Sequence, residues 1–180
     1  FKLTEEIVEE ESFSPKFVYS HLVIPHHPYY FDKNGNPAPL DKLKEFSGAN
    51  KKDYVEYLQY ANSKLLNLVD HIKKKSAQPP IIILMGDHGF RQFNDSVSKK
   101  YHFMNLSSFS IPNGDYTRFY DSSSSVNQIR TFLNTQFNQQ LPLLQGSTVF
   151  IQQSSQRNTA FTIPPMPVPT PGSSFLHYGI

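Results

Sequence analysis

Apolar residues along this 180-residue chain fall into runs of two different periods. Lys16 to Ile24, KFVYSHLVI, is almost continuously apolar, β-branched or aromatic, the pattern of a strand covered on both faces, and Pro25 ends it. Between Asn50 and Lys75 the period changes: Tyr54, Leu58, Ala61, Leu65, Leu68 and Ile72 recur at steps of four and three and draw the apolar stripe of a long helix. Lys73, Lys74 and Lys75 suit its negative C-terminal end. Pro79 and Pro80 stop that helix, and the short run Ile81 to Met85 predicts a second buried strand leading directly into Gly86, Asp87, His88 and Gly89. Strand, helix, strand in that order predicts a right-handed crossover between parallel neighbours. Tyr101 to Ile111 reads as a further strand. Ser122 to Phe137 reads as a helix with Val126, Ile129, Leu133 and Phe137 on one face and Ser122 as its cap. The alternation of elements predicts an α/β sheet with helices on its faces.

The intervening polar stretches complete the outline. Phe1 to Ser14, with Glu9, Glu10 and Glu11 in a row, predicts a short helix with a solvated acidic face and packing partners upstream. PHHPYYFDKNGNPAPL, from Pro25 to Leu40, is turn chemistry and predicts a long loop at the C-terminal end of the first strand. Beyond Ile151 the composition turns to Gln, Ser, Thr and Pro. This divides the chain into a main body, residues 1–151, and a Pro/Ser-rich extended tail, residues 152–180. No repeat period is visible, so a solenoid or propeller has no support.

Charge and composition narrow the functional classes. Lys and Arg are scattered among acidic residues and the formal net charge is only +2, which argues against a nucleic-acid footprint. No apolar run approaches the ~20 residues that cross a bilayer. The absence of cysteine removes disulfides, thiolate ligands and thiol nucleophiles from the chemistry of this stretch. A hydrophobic content of 38% suffices for a packed interior, while 14 prolines predict many loops. Phe1 stands where a start Met would be, with no cleaved-signal pattern near it, and we expect a longer parent protein.

The sharpest chemical signal is GDHG, directly after a predicted buried strand. Loops at strand C-terminal ends are where open α/β sheets gather ligands, and flanking glycines let the backbone turn sharply. Asp87 offers a hard anionic oxygen and His88 an imidazole nitrogen, a pair suited to a divalent ion. The tetrapeptide alone serves equally for a capping Asp and a His bonded to a backbone carbonyl. PHHPY, expected at the end of the neighbouring strand and so on the same sheet edge, adds imidazoles able to meet an anion or a metal.

A strand, P-H-x-P-aromatic, a long helix and an apolar strand ending in G-D-H-G resemble, in that order, the C-terminal half of the sulfatase and alkaline phosphatase superfamily. KFVYSHLVIPHHPYYFDKNGN, NLSSFSIPNGDY, SVNQIRTFLN and QLPLL extend the resemblance, over Pro15 to Leu144, to the bacterial membrane-anchored sulfatase-like proteins. The fold this implies is the C-terminal part of an alkaline-phosphatase-like α/β/α sandwich with a mostly parallel sheet. The activity it implies is a metal-dependent hydrolase or transferase acting on sulfate or phosphate esters, of small molecules, lipids or glycans, through a covalent intermediate. Asp87 and His88 are then metal ligands, with Ca, Mn, Mg and Zn all open, and His26 contacts the substrate's sulfate or phosphate. The nucleophile is expected upstream, since no Ser or Thr here stands in the family's nucleophile motif and no Cys is present to become formylglycine. The upstream half of the catalytic domain is then the main partner, any membrane contact runs through a segment outside this chain, and the location is the extracytoplasmic face of a bacterial membrane. The alternative is a non-catalytic sulfatase-like domain that works by binding, for example in envelope assembly.

Other residues rank lower. His27 stands where the family often has another residue, and His21 is more simply a core histidine of its strand. DKNGN, at Asp32 to Asn36, places its glycine fourth rather than sixth and lacks a closing Glu, so a tight turn is expected instead of a calcium loop. Asp70 and His71 read as a solvated helix face, and Arg91 and His102 as surface residues or substrate-anion contacts. Tyr29, Tyr30 and Phe31 read as loop packing or a pocket lining. The N-x-S patterns at Asn94 and Asn105 carry no weight.

Overall fold

The computed structural model describes residues 1–43, 50–92, 97–121, 123–146, 148–152 and 159–163. These fall into two compact units divided between Pro112 and Asn113.

In the first unit, helix α1 (Lys2–Glu9) packs on helix α2 (Lys51–Lys75). The Asn50 side chain caps α2 by accepting from the Asp53 amide at 2.9 Å, which satisfies one of the orphan donors of the first turn. The buried positions of α2 are Tyr57, Ala61 and Leu68. The predicted stripe therefore holds in the second half of the helix and rotates by one residue in the first, where Tyr57 rather than Leu58 turns inward onto Tyr29, Tyr30 and Phe31. Partners for α1 come from downstream, contrary to expectation. Glu9 Oε1 lies 3.3 Å from both His71 Nε2 and Lys75 Nζ. The Lys16 ammonium donates to the carbonyls of Ile7, at 2.7 Å, and Glu10, where the α1 dipole is negative. His71 is thus half-buried against α1 rather than solvated, while Asp70 beside it is exposed.

Strand β1 (Ile82–Met85) pairs antiparallel with β2 (Ser107–Ser110), from Ile82 opposite Ser110 to Met85 opposite Ser107. The region expected as one strand from Tyr101 is split: a 3-10 helix, Lys99–Phe103, precedes β2. Only Ile82 of β1 is buried, so this strand is not covered on both faces. Lys16–Ile24, predicted as a buried parallel strand, joins no sheet among the described residues, and Phe17, Tyr19 and Val23 on it are exposed. A strand is buried only when a sheet and its covering layers are built around it, and here the run's hydrogen bonds go to the α1 region, from Lys16 to Ile7 and Glu10 and between Ser20 and Thr4. The parallel crossover expected from the order of elements is accordingly not formed among the described residues.

In the second unit, helix α3 (Ser125–Gln136) begins at Ser124, whose hydroxyl accepts from the Asn127 amide at 3.2 Å, and not at the expected Ser122, which lies outside the described residues. Its buried residues are Asn127, Thr131 and Phe132, while Val126 and Phe137 of the predicted apolar face are exposed. Strands β3 (Thr148–Gln152) and β4 (Thr159–Ile163) form an antiparallel hairpin, so a strand occupies part of what reads as tail.

Candidate functional site

The loop after β1 is built as a frame around two projecting side chains. Gly86 stays on the ladder: its amide donates to Leu106 O at 2.9 Å, and its carbonyl accepts from Asn105 Nδ2 at 2.7 Å. Gly89 closes the frame by donating its backbone N–H to His102 O at 2.9 Å. A Cβ on Gly89 would lie 1.9 Å from Tyr101 O and 2.8 Å from Met104 O, so only glycine fits against this backbone. At Gly86 the same Cβ would meet nothing closer than 3.5 Å. Neither glycine has positive φ, in contrast to Gly35 and Gly114. Close approach at Gly89, and not a sharp left-handed turn, is thus what the second glycine of GDHG supplies.

Between the two clamps Asp87 and His88 face solvent. The Asp87 side chain is 89% exposed, and its Oδ2 lies 3.6 Å from His88 Nε2. His88 Nδ1 is 2.6 Å from Gly89 O. A carbonyl only accepts, so Nδ1 carries the proton, and in the neutral ring Nε2 holds the lone pair on the side of the Asp87 carboxylate. This is the arrangement a metal-binding histidine needs, with one nitrogen fixed by a backbone carbonyl and the other free to ligate. Two donors ~2.1 Å from one ion at a tetrahedral angle are roughly 3.4 Å apart, so the observed separation fits a shared divalent ion with a small adjustment. Among the described residues no third His, Asp or Glu joins the pair in a cluster able to hold a metal.

The second loop approaches through its aromatic residues. Ile24–Pro25 and His27–Pro28 are both cis. His26 is exposed with Nδ1 against His27 O, and the His27 ring stands edge-on to Tyr29, centroids 5.1 Å apart. Tyr29 is buried, contacts the rings of Tyr54 and Tyr57 and donates its hydroxyl to Gln92 Oε1. Tyr54 in turn packs on Phe90, with ring centroids 4.2 Å apart and planes tilted by 42°. The PHHPY loop and the exit of GDHG are therefore stapled to one another and to α2 through Tyr29, Gln92, Tyr54 and Phe90. Burial, with Tyr54 close by, pushes the Tyr29 phenol up to about 12, and burial also raises Tyr54 and Tyr57. His26 makes no hydrogen bond or ion pair with Asp87 or His88 among the described residues.

The remaining candidates separate cleanly. His21 is exposed, with its ring 6.3 Å from Tyr19, and is not a core histidine. The Asp32 carboxylate accepts from the amides of Asn34 and Asn36 at 2.8 and 2.9 Å and from Asn36 Nδ2 at 2.8 Å, closing the turn at Gly35. These bonds, the Asn36 side chain foremost, hold its pKa below the usual carboxylate range. His102 acts through its backbone carbonyl. Gln92 and Asn105, which tie the two loops and frame Gly86, were not singled out for these roles by the sequence, although Asn105 opens the NLSSFSIPNGDY segment.

Comparison of the chain with family models, curated proteins and solved structures returns no match. No helix among the described residues is long and apolar enough to cross a membrane.

Proposed function

We propose that this chain is part of a metal-dependent hydrolase or transferase acting on sulfate or phosphate esters, with Asp87 and His88 supplying two ligands to a divalent ion and the nucleophile supplied by an upstream segment. The observation that carries this reading is the His88 ring, whose Nδ1 is fixed on Gly89 O while Nε2 lies 3.6 Å from Asp87 Oδ2 on an open loop. A divalent ion there supplies polarisation of the transferred group and stabilisation of its developing charge. The chain's own residues then hold the ion, orient the substrate and bind its anionic group. His26 is the anion contact: it is exposed, and with Nδ1 against His27 O the second ring nitrogen, Nε2, is the one that would meet an anion oxygen. Tyr29 is a positioning residue that ties the His26 loop to Gln92, beyond Gly89. The upstream half of the domain, an extracytoplasmic location and membrane anchoring outside this chain belong to the same proposal.

The test is calorimetric titration of the chain with Zn, Mn, Ca and Mg, alongside Asp87→Ala and His88→Ala. Each substitution is expected to weaken binding of the preferred ion at least tenfold while leaving the circular dichroism spectrum unchanged. Equal affinity in all three proteins removes the metal assignment and leaves the binding-domain alternative.

A further inference from the structure

Helix α3 holds a segment of its own chain in the way a receptor holds a peptide. Asn127 Nδ2 donates to Leu144 O at 2.8 Å, and Asn127 Oδ1 accepts from Leu144 N at 2.9 Å. One strap-length away the same two-point pairing recurs, with Asn134 Nδ2 on Leu141 O at 2.9 Å and Asn134 Oδ1 on Leu141 N at 2.8 Å. Between them Arg130 Nη1 donates to Pro142 O at 2.9 Å. The geometry matches: seven residues of helix rise ~10.5 Å, and three residues of extended chain span ~10 Å. Leu141–Leu144 must therefore lie nearly extended and antiparallel to α3, with each asparagine amide imitating a neighbouring strand. Asn127 is 2% exposed, so its amide is committed to this role.

What the helix reads is backbone. Leu143 and Leu144 remain about half exposed, and no acceptor is needed at position 142, where proline has no N–H. We propose that the Asn127, Arg130 and Asn134 face of α3 is a binding site for an extended four-residue peptide with Pro at its second position and N–H groups on its first and fourth residues, and that Leu141–Leu144 is its resident occupant. The sequence Ile163 to Met166, IPPM, satisfies the same rule, whereas no four-residue window of MPVPTP, Met166 to Pro171, does so.

The resident strap competes at an effective concentration of order mM, so the parent chain is expected to bind labelled QLPLLQ weakly by fluorescence anisotropy. Leu144→Pro removes the N–H that Asn127 accepts and is expected to raise affinity for QLPLLQ and TIPPMP at least tenfold, with no gain for MPVPTP. If that variant keeps its helical dichroism and binds QLPLLQ no better than the parent does, or binds MPVPTP equally, the proposal fails. If it loses helix, the decision passes to a chain with eight Gly/Ser residues inserted after Gln140, which leaves every bonding residue in place and lowers the strap's effective concentration. That chain is expected to bind QLPLLQ several-fold more tightly than the parent, and equality overturns the proposal.

Discussion

At the scale of single residues, the two glycines of GDHG look alike in sequence and do different work. A methyl on Gly89 collides with Tyr101 O and with the Met104 backbone, none of it the movable end of a side chain, while a methyl on Gly86 meets ordinary contact distances. Gly89→Ala is therefore expected to cost about 1–3 kcal/mol or more, as overpacking does, and Gly86→Ala to stay within about 1 kcal/mol of the parent. Urea unfolding of the two variants side by side checks this, and equal midpoints would contradict the frame described for this loop. Tyr29 gives a second prediction. Its folded pKa, about 12, exceeds the ordinary tyrosine value because burial disfavours the phenolate. The folded state thus holds this proton more tightly, and the stability it brings is complete below pH 10 and lost as the pH rises from about 10 to about 12. Tyr29→Phe should cost about 1 kcal/mol near neutrality by breaking the bond to Gln92 and should flatten the alkaline part of the stability curve. Asp87 and His88 could be picked out from sequence because their residue types and flanking glycines form a local signal. Gln92 and Asn105 could not, since their roles arise only when residues 63 and 19 positions apart meet.

Among the elements, legibility followed from how local the cause is. The bounds of the long helix were legible, because its apolar stripe and lysine-rich end are written within it, while the Asn50 cap and the inward turn of Tyr57 emerge only in the structure. Asn50→Ala is expected to cost about 1 kcal/mol of unfolding free energy with little change in helix content at low denaturant, measurable by urea titration of the dichroism signal. A similar loss from Ser124→Ala is expected, since its hydroxyl serves the same purpose for α3. The face of α3 was not legible: its apolar periodicity points to Val126 and Phe137, which are exposed, yet two of its three buried positions, Asn127 and Thr131 beside Phe132, are polar. A polar residue is buried at small cost once its hydrogen bonds are met, and Asn127 meets them on Leu144, 17 residues along. Periodicity counts apolar side chains and has no way to see a backbone partner.

For the molecule as a whole, the largest departure concerns Lys16–Ile24. Near-continuous apolarity predicts an interior strand, but Phe17 is 94% exposed, Tyr19 78% and Val23 68%. Apolar surface of this kind on one short run is unfavourable in water and marks a place where association begins. β1, too, is paired on one edge only among the described residues, and Met85 on it is 38% exposed. Both strand-like runs thus expose apolar side chains among the described residues, and under the function proposed above the upstream half of the domain would cover them. The chain on its own is then expected to self-associate as concentration rises, seen in light scattering and in binding of an apolar dye. Phe17→Ser combined with Val23→Ser should reduce both signals severalfold with no loss of helical dichroism, because both side chains are largely exposed. If the double variant instead loses helix and unfolds at lower urea, these residues already lie inside the fold of the isolated chain, and the need for a covering segment disappears with it.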